Sequence, residues 1–197
     1  MNVSSLLAPA LDELLGRIRP LMVVVRDGRQ GAGAGILVGA GLVLTNAHVT
    51  GNSRSLKVVL DDDHEYDARL VARDPQVDLA LLQIPPNGHA GATFAQEMPR
   101  PGEMVYAFGH PWGQRNVLTG GVLSAVTSAR TEQGEIPLLR TDLQLAPGSS
   151  GGPLLNAAGE VIGLNAMIFG GDQSVAIPAS LIRSFLEQAR QPQEDLI

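Results

Sequence analysis

Beyond Pro20 the chain consists of short runs of β-forming residues broken by turn residues, and this limits what it can fold into. The runs fall at residues 21–25, 34–38, 41–45, 55–60, 66–73 and 79–84, then at 104–108, 114–118, 121–129, 136–141, 153–155, 161–167 and 174–177. Pro85-Pro86-Asn87-Gly88 and the stretch 99–102 interrupt the pattern, which places a lobe boundary near residue 100. Many short strands with frequent turns suggest a barrel or a sandwich. Only the ends read as helix. Leu7, Leu11, Leu14, Leu15 and Ile18 recur at helical spacing, a pattern that tolerates Pro9 if it lies in the first turn and that Pro20 stops. After Pro178, the residues Leu181, Ile182, Phe185 and Leu186 mark a second helix, followed by a polar tail from Gln191. The expected organisation is an N-terminal helix at 1–20, a first lobe at 21–100, a second lobe at 101–178, and a C-terminal helix and tail at 179–197.

Composition removes several function classes. A net charge of −6 with no basic stripe offers little to a phosphate backbone, so nucleic acid is not an expected partner. The chain has no cysteine, which excludes disulfides and thiolate metal sites. No apolar run is long enough to span a bilayer, and the N-terminus lacks the basic-then-apolar layout of an export signal. The location expected as written is cytoplasmic, or periplasmic or secreted if a leader has been removed. His64 stands among Asp61, Asp62, Asp63 and Glu65 without metal-ligand spacing, and neither a metal nor another cofactor is expected.

The strongest local signal is Gly148-Ser149-Ser150-Gly151-Gly152-Pro153. A nucleophilic serine needs an exposed hydroxyl and nearby backbone N–H groups to receive an oxyanion, and glycines let those groups converge. By itself the string also fits a Gly/Ser-rich hairpin loop. It matches the G-x-S-x-G elbow as well, but that arrangement needs a helix after the serine and a histidine later still. No histidine follows Ser150, and the residues after Pro153 read as strand, so the base must lie upstream. His48, at the end of the apolar run Leu42-Val43-Leu44, is one candidate; a hydrogen-bonded structural histidine at a strand end is the other reading. His64 reads as a solvated hairpin residue, His89 as part of a loop rich in proline and glycine, and His110 as a turn residue. For the acid, Asp78 opens directly into the run Leu79-Ala80-Leu81-Leu82, where a carboxylate needs a hydrogen-bonding partner. An aspartate that caps its own turn fits the same position, and Asp74, before Pro75, reads as an ordinary turn residue.

The order His, Asp, Ser is that of the trypsin-like fold, and the segments around these residues resemble the HtrA/DegP-like proteases. The resemblance rests on Thr45-Asn46-Ala47-His48-Val49, Asp78-Leu79-Ala80-Leu81-Leu82, Thr141-Asp142 and Pro147-Gly148-Ser149-Ser150-Gly151-Gly152-Pro153-Leu154. Gly159-Glu160-Val161-Ile162-Gly163-Leu164-Asn165 and Val175-Ala176-Ile177-Pro178 extend it. It implies an all-β architecture of two antiparallel β-barrels with short terminal helices, and a serine endopeptidase working through an acyl-enzyme. Ser150 would be the nucleophile, His48 the base and Asp78 its orienting acid, with the oxyanion hole in the loop Gly148, Ser149 and Ser150 at the N–H groups of Gly148 and Ser150. Asn165, Ala166, Met167 and Ile168 would pair with extended substrate, while Gln144, Leu145 and Ala146 would lie at the base of the primary pocket. No acid marks that base, which implies cleavage of unfolded or extended polypeptide after small or medium apolar residues.

The chain departs from the family where Ser149 replaces the usual asparagine before the nucleophile, and no peptide-binding PDZ domain fits after the last helix. Members often trimerise through N-terminal aromatics; the first aromatic here is Tyr66, so the resemblance assigns no oligomeric state. Two rival readings are a catalytically silent peptide-binding chaperone module on the same fold and a serine esterase.

Overall fold

The computed structural model describes residues 3–28, 32–53, 55–86, 88–132, 134–167 and 174–190, which leaves Ile168 and the tail from Gln191 outside it. Helix α1 (Val3–Ile18) starts early enough that Pro9 lies inside it and not in its first turn, and it runs into a 3₁₀ turn at Arg19–Leu21 that contains Pro20. The first barrel then uses β1 (Met22–Arg26), β2 (Ala32–Gly39), β3 (Leu42–Thr45), β4 (Leu56–Val59), β5 (Glu65–Asp74) and β6 (Leu79–Gln83). The second uses β7 (Met104–Gly109), β8 (Val117–Thr131), β9 (Gly134–Thr141), β10 (Pro153–Leu155), β11 (Val161–Met167) and β12 (Ser174–Pro178), and helix α3 (Ala179–Arg190) is the last described element. Both sheets are closed and antiparallel, in the orders β1-β2-β3-β6-β5-β4 and β7-β8-β9-β12-β11-β10. The two barrels therefore repeat one strand order, although the sequence carries no fixed-period repeat. This is the all-β, two-barrel architecture with terminal helices that the resemblance implies.

In the first barrel β1, β2, β3 and β6 are buried on both faces along most of their length, which explains their nearly continuous apolar runs, whereas β5 has no buried residue. Along β2 and β3, Leu37 and Val43 point into the barrel with Val23, Val58 and Leu82. Their neighbours Ile36 and Leu44 point outward into a second core shared with Phe108, Leu155 and Leu164 of the other barrel. Helix α1 adds Leu14 and Ile18 to this shared core, and α3 adds Ile182, Phe185 and Leu186. Each fully buried side chain of this size is worth about 1.5–3 kcal/mol. The lobes are held by apolar packing, and the terminal helices seal the seam between them. The connecting segment adds main-chain ties, with Ala92 N–H donating to the Leu37 carbonyl (2.9 Å) and Ala95 N–H to the Val161 carbonyl (3.0 Å).

Two local expectations are corrected. The runs at 114–118 and 121–129 are not separate strands: β8 continues through Gly120 and Gly121. A Cβ on Gly121 would lie 2.3 Å from the Asp142 carboxylate, so this glycine permits close approach within a strand and does not mark a turn. His48 is also not at a strand end; the chain leaves β3 at Asn46 and enters a single-turn helix, α2 (Ala47–Thr50).

Candidate active site

The loop before Asp78 is built by its own side chains. Asp74 Oδ1 accepts from Gln76 N–H (2.8 Å), as expected for a turn aspartate, and delivers the chain to Asp78 in the left-handed region, φ +55°. Such a backbone costs a non-glycine residue on the order of 1 kcal/mol, and the contacts around it offset that cost. The Asp78 carbonyl accepts from Ala47 N–H (3.1 Å) and Asn46 Nδ2 (3.0 Å), while Oδ1 accepts from His48 N–H (2.9 Å). Oδ2 then meets His48 Nδ1 at 2.7 Å. Because a carboxylate only accepts, this contact puts the ring hydrogen on Nδ1 and leaves Nε2 as an acceptor. Arg73 adds a clamp that sequence reasoning missed, donating through Nε and Nη2 to the Ala47 carbonyl (3.3 Å each). The two side chains stay partly exposed, His48 at 46% and Asp78 at 31%, so Asp78 is not buried in the apolar run it opens.

Ser150 comes from the other barrel and is docked onto the first. Its carbonyl accepts from Ala34 N–H of β2 (2.8 Å), and Ala34 O accepts in turn from Thr45 Oγ1 (2.8 Å), three residues before His48. The glycines after the serine are required by contact. A Cβ on Gly151 (φ +84°) would lie 2.0 Å from the Ala34 carbonyl oxygen, and one on Gly152 would lie 2.0 Å from that of Phe108. The hairpin alternative for this string is thereby set aside: the loop is a tight turn wedged between the lobes. Among the described residues no hydrogen bond joins Ser150 Oγ to His48 Nε2, as is common before substrate tightens such contacts.

Ser149 N–H donates to Ala146 O (3.0 Å) and Gly152 N–H to Ser149 O (3.1 Å). The N–H of Ser149 is thus committed to the turn. Among the described residues the N–H groups of Gly148 and Ser150 have no acceptor. Asn165 of β11 binds the same loop from the other side, its carbonyl accepting from Gly151 N–H (2.9 Å) and its N–H donating to Gly152 O (2.8 Å).

The remaining site residues divide. Ala166 is buried and lines a groove of about 580 Å³ that also touches His48, Asp78, Val77, Leu138 and Ile177. Met167 ends β11, and Ile168 lies outside the described residues. Leu145 packs on the second-barrel core, Gln144 is exposed, and Ala146 caps the serine turn through its carbonyl. His64 is exposed and pairs with Asp62 (2.9 Å). His110, read from sequence as a turn residue, is 5% exposed and stands against the serine loop, its N–H donating to Gly148 O (3.2 Å). Burial, helped by nearby Arg115, pushes its ring down to about 4. Its Nδ1 accepts from Asn116 N–H (3.2 Å). Among the described residues no group of three or more acidic or histidine side chains is arranged to hold a metal ion.

Residues 33–164 match the family model described as a trypsin-like peptidase domain. The serine protease HTRA1 of Xenopus laevis is 36% identical over 98% of this chain and 43% of its own length. A probable periplasmic serine endoprotease, DegP-like, of a Marinomonas species is 37% identical over 82% of this chain and 36% of that protein. The chain thus spans about two fifths of the length of these relatives. Among solved structures, the serine endoprotease from Yersinia pestis superposes with TM-score 0.80 at 28% identity, covering 90% of this chain and 65% of that one. The HtrA-type protease AlgW, solved with a tripeptide, gives 0.82 at 30% identity, covering 90% and 62%.

Proposed function

Because the chain belongs to the trypsin-like peptidase family, in its HtrA/DegP group, we propose that it is a serine endopeptidase with His48, Asp78 and Ser150 as its triad. The observation that carries this is the double grip of Asp78 on His48, through backbone N–H and ring Nδ1, together with a serine loop in which, among the described residues, two N–H groups have no acceptor. In the reaction Ser150 Oγ adds to the scissile carbonyl while its proton passes to Nε2 of His48. Asp78 holds the required tautomer and stabilises the imidazolium. The new oxyanion takes hydrogen bonds from Gly148 and Ser150 N–H; in this kind of site one such donor is worth about 10²–10³ in rate. The leaving amine departs with the His48 proton, and water then repeats the sequence on the acyl-enzyme.

Strand β11 supports an extended peptide as substrate. Asn165 uses both main-chain groups on Gly151 and Gly152, and strand alternation turns those of Ala166 toward β12. The next outward-facing pair belongs to Met167, where a substrate strand would bind. We propose small or medium apolar residues before the cleaved bond, supported by the lack of any carboxylate at Gln144, Leu145 and Ala146. The names of the DegP-like relatives support a periplasmic or secreted setting over a cytoplasmic one. Among the described residues no helix is long and apolar enough to cross a membrane.

A fluorophosphonate probe tests the reading. It should label the protein at Ser150, fail on Ser150→Ala and react far more slowly with His48→Ala. Absence of labelling at neutral pH sinks the hydrolase and leaves the silent peptide-binding module. Hydrolysis of small esters without cleavage of unfolded protein would indicate the esterase, and a cleavage profile directed to lysine or arginine would overturn the apolar preference.

A further inference from the structure

We propose that Arg115 and Asn116 are positioning residues for the oxyanion loop, which they hold by anchoring the 110–116 segment of the second lobe to the acidic β4–β5 turn of the first. The inference rests on reading the Ser150 loop as the oxyanion loop.

Pro147 O accepts from Trp112 N–H at 2.8 Å. In a trans peptide the carbonyl and the following N–H point in opposite directions, so this bond aims Gly148 N–H away from Trp112. The next carbonyl, that of Gly148, is held by His110 N–H (3.2 Å). The loop offers only Ser149 and Ser150 as polar side chains, so the direction of the Gly148 donor depends on where residues 110–112 stand. A Cβ at Gly148 would meet the His110 carbonyl oxygen at 2.4 Å, which shows how closely the segments approach.

The 110–113 turn is itself strained: His110 is buried at its base, but Trp112 at its tip is in the left-handed region at φ +52° and 76% exposed, so packing does little to hold the tip. Its anchors lie in the other lobe. Asn116, also left-handed at φ +62°, donates through Nδ2 to Asp61 Oδ1 (2.7 Å) and through its backbone N–H to the His110 ring. Arg115 pairs with Asp63 (2.8 Å) and donates to the Leu60 carbonyl (3.3 Å). A path of direct contacts thus runs from Asp61 and Asp63, through Asn116, Arg115 and His110, to the peptides on either side of Gly148. Asp63 is 84% exposed, and exposed ion pairs add little to global stability. The tie is therefore expected to act on turnover much more than on unfolding.

The test uses Asn116→Gly, which keeps the left-handed backbone and removes the side chain, together with Asp61→Ala and Asp61→Asn; the last keeps an acceptor oxygen. Expected is a fall of about tenfold in kcat for Asn116→Gly and Asp61→Ala, with KM within twofold, because a misaimed oxyanion donor weakens transition-state binding alone. Asp61→Asn should retain turnover. Hydrogen exchange over residues 147–152 gives a readout that needs no turnover: faster in Asn116→Gly and Asp61→Ala, unchanged in Asp61→Asn. Unchanged kcat and exchange in the first two variants, or an equal loss in Asp61→Asn, would overturn the proposal. If the wild-type protein fails to react with the fluorophosphonate, the hydrolase reading fails, and the exchange comparison still decides whether the tie holds the loop.

Discussion

Lowering the pH from 7 to 4 should destabilise this protein through one buried ring, His110. Its folded pKa of about 4 lies below the ordinary 6.5, first because burial disfavours the charged ring and second because Arg115 is near; Asp61 and the Val23 carbonyl oppose the shift more weakly. A depressed histidine is neutral in the fold while the unfolded chain takes up the proton. The stability it provides is therefore complete above pH 6.5 and is lost as pH falls toward 4. Linkage across that interval gives about 3 kcal/mol at pH 4, a large share of a typical margin of about 5–15 kcal/mol. Protonation also destroys the Nδ1 acceptor used by Asn116 N–H, so the loss should begin in the 110–116 segment. The assay is urea unfolding followed by far-UV circular dichroism at several pH values, for the wild type and His110→Asn. Other titrating groups contribute alike to both proteins, so the difference isolates His110. The wild type should lose about 3 kcal/mol more than the variant between pH 7 and 4; parallel curves would refute the reasoning.

Asp78→Asn should preserve the fold but present the wrong His48 tautomer, lowering kcat on the order of 10⁴, as measured with a peptide substrate. Gly151→Ala puts a Cβ against the Ala34 carbonyl at a positive φ and should cost about 2–4 kcal/mol in urea unfolding, with loss of fluorophosphonate labelling. Leu81→Ala empties a buried position in the core between the lobes and should cost about 2–5 kcal/mol, shown by a lower urea midpoint. Arg19→Ala breaks an exposed pair with Asp61 (3.0 Å) and should change stability by less than about 1 kcal/mol in the same assay.

The sequence by itself determined the alternation of short apolar runs, the two terminal helices and the three residues proposed for chemistry, because these depend on local periodicity and on motifs compact enough to read. A short apolar run bounded by turn residues marks a strand wherever it pairs, and glycines forced by close contact, such as Gly151, stand out within a few residues. Only the tertiary structure decided which glycines turn the chain and which, like Gly121, permit approach within a strand. It also placed His48 on a helical turn, since hydrogen bonds from Ala47 and His48 to Asp78, thirty residues away, set that geometry. The role of His110 was hidden for the same physical reason. Its burial comes from residues of the other lobe and from the serine loop, and no local pattern records contacts made by main-chain groups across such separations. Whether Gly148 N–H faces the cleft is likewise set by the Pro147 carbonyl bond to Trp112, a peptide orientation that side-chain identity does not encode.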